Sequence, residues 1–324
     1  MDDAKTEIMQ CMEVWGGNQP VNSGVIMTGI DAWVYCRPYT GAAGIAAQAG
    51  GDVYFVSSCA TGRITRLLVA DVSGHGSAVG DIATSLRTLM RKYVNYLDPR
   101  QFVGEMNRRF TELSEAGSFA TAIVTTFFAP TNHVTFCNAG HPPPLIYRDG
   151  QGWIYAEKKE RFDDSRPSNL PLGIEDSSAY HQFAVKLRVG DLVLCYTDGL
   201  PESRNCNGEF LGQEGLLEVL NSISVADPSQ IVPELLRAIE TLHPGNLTGD
   251  DVTVLLFRAN GLGSKVPFVN RVLAPLRLLR GLAASLLPGG GPAPWPDRHP
   301  ANVGGAIFDS LNDRWSGGDD EAPK

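Results

Sequence analysis

The chain is short of the residues that build zinc sites and disulfide frameworks. Its 324 residues include six histidines and six cysteines. The cysteines are Cys11, Cys36, Cys59, Cys137, Cys195 and Cys206, and no two form a CxxC pair. Neither residue type shows ligand spacing, which argues against a His/Cys zinc site. Several cysteines lie in strand-like apolar runs, so the six read as buried, reduced thiols in a reducing compartment. A basic excess is also missing. The 27 Lys and Arg against 36 Asp and Glu leave a net charge of −9. That argues against a nucleic-acid binder that works by neutralising phosphates. It suits a protein that gathers cations at an acidic cleft. The N-terminus, MDDAKTEIMQ, lacks the basic-then-apolar pattern of a secretory signal. No unbroken apolar run is long enough to span a bilayer. A cytoplasmic address is the expectation.

Apolar residues make up 43% of the chain, enough for a sizeable core. Residues 25–35, 44–59 and 65–71 read as strands, rich in β-branched and aromatic side chains. A helix is expected from Ser77 to Leu97, with Val79, Ile82, Ala83, Leu86, Leu89, Met90 and Tyr93 on one face. Asp98 followed by Pro99 reads as an N-cap and first helical residue of a second helix. TAIVTTFFA, HVTFCNA and PLIYR read as strands. YHQFAVKL and DLVLCYTD read as two more, joined at Arg188, Val189 and Gly190 like a hairpin. Helices are expected at 213–222 and 229–242, and a last strand at 251–258. Strands and helices come in blocks, so the class is α+β rather than a doubly wound sheet. Proline and glycine crowd residues 288–304, which places a domain boundary near 260.

One arrangement recurs along the chain. The run LLVAD ends in Asp71 and breaks into SGHG. GGDVYF sets Asp52 after a glycine pair, and CYTDGL sets Asp198 before a glycine. TGDDVTVLLF sets Asp250 and Asp251 just ahead of a strand. Each Asp-Gly pair alone reads as a turn. Together they put carboxylates at the ends of strongly apolar runs, and rigid strand ends are good places to fix oxygen ligands for Mg²⁺ or Mn²⁺.

These pieces resemble the metal-dependent protein phosphatases (PPM, protein phosphatase 2C-like), in the bacterial SpoIIE-type branch. The matching segments are AGGDVYF, ADVSGHG, FATAIVTTFF, FCNAGHPPPLIY, LPLGI, GDLVLCYTDGLPESRN and GDDVTVLLF, spanning residues 49–257 in the family's order. The resemblance implies a four-layer α-β-β-α sandwich of two antiparallel sheets flanked by helices. It implies two Mn²⁺ or Mg²⁺ ions held by Asp52, Asp71, the Val72 carbonyl, Asp198 and Asp250, with Asp71 as bridge. Asp251 is held in reserve in case the last motif is offset by one residue. The implied reaction is hydrolysis of phosphoserine or phosphothreonine on a signalling protein. Water activated between the two ions attacks phosphorus in line, with Asp71 and Asp198 acting through that water. The implied partner is a phosphorylated regulator of the anti-sigma partner-switching kind.

The chain also departs from the family. The second aspartate that many members carry shortly after the first is replaced by an apolar residue. Ser73 stands where eukaryotic members have a histidine two residues after the bridging aspartate. His75, His141 and Arg37 are near the motifs but are left off the catalytic set, so leaving-group protonation is unassigned. Residues 1–260 read as the phosphatase domain and 261–324 as a tail. Within the tail, residues 265–287 carry Lys265, Arg271, Arg277 and Arg280 and no acid. They read either as a basic amphipathic helix for a membrane or partner, or as a helix folded back on the domain. The end of the tail reads as mostly disordered. Little sequence precedes Asp52, so regulatory input is expected through a partner, the tail or expression level. Two rivals share the motifs: a catalytically silent phosphoprotein-binding pseudophosphatase, and a hydrolase of small phosphoesters.

Overall fold

Strand formation begins early. β1 (Lys5–Ile8), β2 (Val14–Gly17), β3 (Val21–Ile26) and β4 (Ile30–Arg37) precede β5 (Asp52–Ser58) and β6 (Ile64–Val72). Two helices follow, α1 (Ser77–Tyr93) and α2 (Pro99–Leu113). Then come β7 (Ala120–Phe128), β8 (His133–Ala139), β9 (Leu145–Arg148), β10 (Gly152–Tyr155), β11 (Gln182–Lys186) and β12 (Leu192–Tyr196). Helices α3 (Gly212–Asn221) and α4 (Pro228–Leu242) lead to β13 (Val252–Ala259). The structure, a computed structural model, describes residues 5–8, 14–39, 49–58, 63–73, 77–93, 98–113, 118–156 and 168–262. His75 and the 265–287 segment lie outside the described residues.

Two sheets form. One has the order β1-β3-β4-β13-β12-β9-β10 and the other β11-β8-β7-β6-β5-β2. Pairing is antiparallel except for β1, which runs parallel to β3. The central strands β5, β6, β12 and β13 are buried along nearly their whole length. Alternation of polar and apolar residues is lost there because both faces are covered. Leu67 and Val69 of β6 and Leu255 and Phe257 of β13 fill the core between the sheets. Leu68 and Ala70 pack outward with Leu86, Met90, Phe102 and Phe110 of α1 and α2. On the other side, Leu194, Val254 and Leu256 pack with Leu216 of α3 and Leu235 of α4. The result is the four-layer α-β-β-α sandwich expected. Asp98 accepts a hydrogen bond from the Arg100 N–H at 2.9 Å, capping α2 as its sequence implied.

Several local expectations are corrected. The 25–35 run is not one strand: it turns at Gly29, whose φ is +81°, and splits into β3 and β4. A left-handed backbone there suits glycine alone. Within 44–59 the strand starts only at Asp52, and residues 44–48 and 59 are outside the described set. The expected hairpin around 188–190 does not form. β11 pairs with β8 in one sheet, and β12 pairs with β9 and β13 in the other. The turn between them, pinned by the Asp191 carboxylate on the Arg188 N–H at 2.9 Å, carries the chain across the sandwich. β12 is buried at every position and takes a central place, whereas half-exposed β11 takes an edge. Cys36, Cys137 and Cys195 are buried and free, but Cys206 is exposed, against expectation. Among the described residues no helix is long and apolar enough to cross a membrane.

Candidate metal centre

The aspartates meet at one end of the sandwich because of register. Asp52 is the first residue of β5 and lies directly opposite Asp71, near the end of β6. Asp52 shares its face with Tyr54 and Val56, and Asp71 with Leu67 and Val69, all in the core between the sheets. Both carboxylates therefore stand at the mouth of that core. The other sheet supplies Asp198, just past the end of β12, and Asp250 and Asp251, just ahead of β13. β12 and β13 are adjacent and antiparallel, with Tyr196 opposite Val254, so these three reach the same end.

The five acids differ in setting. Asp52 is 2% exposed and Asp251 5%, whereas Asp250 is exposed. Thr197 donates its hydroxyl to Asp52 Oδ2 at 2.8 Å. The Asp251 carboxylate accepts the Tyr39 N–H at 2.5 Å and the Gly51 N–H at 2.6 Å. Asp250 Oδ1 accepts the Asp251 N–H at 2.8 Å. The Val72 carbonyl lies against Gly51, where a methyl group would stand 2.9 Å from it. Glycine is needed for that approach.

Electrostatics mark the cluster. Burial, with the charges of Asp71 and Asp251, pushes Asp52 well above the usual carboxylate range. Burial and then the charges of Asp198, Asp250, Asp251 and Glu202 push Asp71 up to about 7. Burial, Glu202 and Asp250 push Asp198 up to about 6. Such crowding of like charge favours any cation that neutralises it. The donors are all oxygen, which fits hard divalent ions. Among the described residues no three of these side chains stand at ligand spacing around one point.

Nearby residues weighed from sequence are engaged elsewhere. The Ser73 hydroxyl accepts the Phe119 N–H at 3.1 Å, bracing the turn after β6 against β7. His141 is buried, with Nδ1 2.8 Å from the Thr121 hydroxyl, and burial pushes its pKa down to about 3. Asn138 bonds both its N–H and its carbonyl, so His141 shapes the loop after β8. Arg37 bonds the Leu247 carbonyl and pairs with Glu240 at 3.5 Å. Two residues were not singled out from sequence. Thr197 had a signal in the hydroxyl just before the Asp-Gly pair, and Glu202 in the acid four residues after Asp198.

A profile of the SpoIIE family (Stage II sporulation protein E) matches residues 61–260, and the chain belongs to that family, the SpoIIE-type branch of the protein phosphatase 2C-like proteins. The match begins after Asp52, which joins the site through its register with Asp71. The phosphoserine phosphatase RsbU of Bacillus subtilis is 28% identical over 220 residues, 66% of this chain. The chain spans 60% of the length of RsbU. Among solved structures, the PP2C phosphatase domain of SpoIIE from Bacillus subtilis superposes with a TM-score of 0.58 at 19% identity. It covers 71% of this chain, and the alignment takes in 62% of that one. RsbX in complex with magnesium superposes with a TM-score of 0.53 at 16% identity, covering 74% of this chain and 99% of its own. These two likenesses concern the fold.

Proposed function

We propose that the protein is a Mn²⁺- or Mg²⁺-dependent phosphatase that hydrolyses phosphoserine or phosphothreonine on a regulatory protein. The observation that carries this reading is the convergence of Asp52 and Asp71 from one sheet with Asp198 and Asp250 from the other. Asp52, Asp71, the Val72 carbonyl, Asp198 and Asp250 would hold two ions. When bound, the ions supply the charge that acidifies a water and neutralises phosphoryl oxygens. Asp71 lies opposite Asp52 and feels the charges of Asp198 and Asp250, which suits a shared ligand. Without cations the acidic mouth repels a phosphate, so metal and substrate binding are coupled. Family membership and the name of RsbU support a phosphoserine substrate. A regulator of the partner-switching kind is the substrate class we favour. The domain is taken as residues 1–260, where the family match also ends. The buried free thiols support a reducing compartment, the cytoplasm.

The test is phosphate release from a phosphoserine peptide after chelation and Mn²⁺ add-back, with Asp71→Ala alongside. The expected result is Mn²⁺-dependent turnover that falls in the variant by more than the roughly 100-fold typical of outer-shell changes. Phosphoprotein binding without turnover at any Mn²⁺ or Mg²⁺ level would point instead to a silent binding module.

A further inference from the structure

We propose that Asp251 and Thr197 are positioning residues that hold Asp52 from the opposite sheet, and that Asp251 is not itself an ion ligand. The proposal rests on the metal centre described above and adds its support. Asp251 and Thr197 flank the seven-stranded sheet, whereas Asp52 starts a strand of the six-stranded one. The contacts between them therefore join the two halves of the site.

Asp251 has its oxygens turned to the backbone. Oδ1 takes the Tyr39 N–H at 2.5 Å, and Oδ2 takes the Gly51 N–H at 2.6 Å, with the Asp52 N–H at 3.4 Å. Charge-assisted bonds of this kind are strong and directional. They set where the chain enters β5, and hence where the Asp52 side chain begins. The loop has been fitted to that carboxylate. A methyl group on Gly50 would stand 2.6–2.8 Å from the Asp251 carboxyl atoms. Asp250 is different: it is exposed, whereas Asp251 is buried.

Thr197 acts on the Asp52 side chain itself. It is fully buried, and its oxygen accepts the Thr253 N–H at 2.9 Å. The hydroxyl has one proton left to give. Asp52 Oδ2 is 2.8 Å away, and the other acceptor, the Thr253 carbonyl, is 3.4 Å away. The shorter bond to a carboxylate takes the proton. Asp52 is thus fixed twice, at its backbone by Asp251 and at its carboxylate by Thr197. Metal ligands are commonly oriented by such outer contacts.

Two measurements on the full chain test this. The first needs no metal: hydrogen exchange of the Tyr39, Gly51 and Asp52 amides in chelated protein, for wild type and Asp251→Asn. The amide that replaces one oxygen presents N–H to N–H, so at least one bond is lost. Exchange at Tyr39 or at Gly51, whichever faces the new NH₂, should rise about tenfold, as expected for losing one such bond. Unchanged exchange overturns the role of Asp251. The second is calorimetric Mn²⁺ titration of wild type, Asp251→Asn, Thr197→Val, Thr197→Ser and Asp71→Ala. Asp251→Asn and Thr197→Val should keep the wild-type number of ions and weaken binding roughly 10–100-fold. Thr197→Ser, which keeps the hydroxyl, should restore it, and Asp71→Ala should lose ions. Asp251→Asn losing an ion as Asp71→Ala does would make Asp251 a ligand and overturn the proposal. Wild-type affinity in Thr197→Val would remove Thr197 from it. If wild type binds no Mn²⁺, the metal centre itself fails, and the exchange measurement alone decides the brace.

Discussion

Asp52 and Asp71 face each other as a cross-strand pair on β5 and β6, with both carboxylates at the mouth of the core between the sheets. Like charges directly opposite on adjacent strands destabilise a sheet. The pairing therefore weakens the metal-free protein. Asp71 has its pKa pushed up to about 7 in the fold, against 3.8 for the unperturbed group. With the folded value above the unfolded one, its stabilising contribution is full below about 3.8 and is lost as pH rises through about 7. Asp71→Asn removes the charge. In chelator at pH 8 the variant should melt above wild type, by roughly 2–4 °C for each kcal/mol relieved. A lower melting temperature would mean that Asp71 stabilises the fold without metal.

Cations should reverse the penalty. Mn²⁺ at about 100 times its dissociation constant adds about 2.7 kcal/mol per site to a protein that binds it only when folded. Wild type should show a melting temperature that climbs with Mn²⁺, and Asp71→Asn should climb less. A melting temperature indifferent to Mn²⁺ and Mg²⁺ in the wild type would count against the centre.

His141 gives a pH dependence of the opposite sign. Burial holds its pKa at about 3, below the ordinary 6.5. The unfolded chain then binds a proton below about 6.5 that the fold refuses down to about 3. Stability from this group falls as pH drops through that window. The acid cluster pulls the other way, so the comparison must be between wild type and His141→Gln. Urea midpoints at pH 7.5, 6 and 4.5 should fall more steeply in the wild type. At pH 7.5 the variant should be weaker by about 1 kcal/mol, for the bond to Thr121. Parallel profiles would show that His141 takes up its proton in the fold.

Gly50 and Gly29 separate site from scaffold. A methyl group on Gly50 would meet the Asp251 carboxylate at 2.6 Å, and one on Gly29 would meet Phe127 at 2.7 Å. Both alanine variants should lose roughly 1–3 kcal/mol, as overpacked positions do. Gly50→Ala should also weaken Mn²⁺ binding, because it displaces the Asp251 anchor. Gly29→Ala, at the β3–β4 turn, should leave it unchanged. Equal metal affinity in the two would detach Gly50 from the centre.

Much of this is legible in the sequence alone. Helix α1 followed from apolar spacing, α2 from its Asp98-Pro99 start, and α3 and α4 also lie where helices were expected. Long apolar runs such as TAIVTTFF and DVTVLLF marked the central strands. The recurrence of aspartate at their ends marked the site. β10, the Gly29 turn and the outlying β1 and β2 were not foreseen. Short segments carry too few residues for a period to emerge.

What the sequence determined by itself was local: which stretches are helix, which are strand, and that acids sit at strand ends. Those features depend on neighbours a few residues apart. What only the tertiary structure decided was which strands meet. The turn at 188–190 looked like a hairpin, yet β11 and β12 went to different sheets because a fully buried strand needs partners on both sides. The difference between Asp250 and Asp251 is of the same kind. The two are adjacent in the chain and chemically identical. One is exposed, and the other is buried against the N–H groups of Tyr39 and Gly51, about 200 residues away. Their division follows from contacts between distant segments, which no local pattern records.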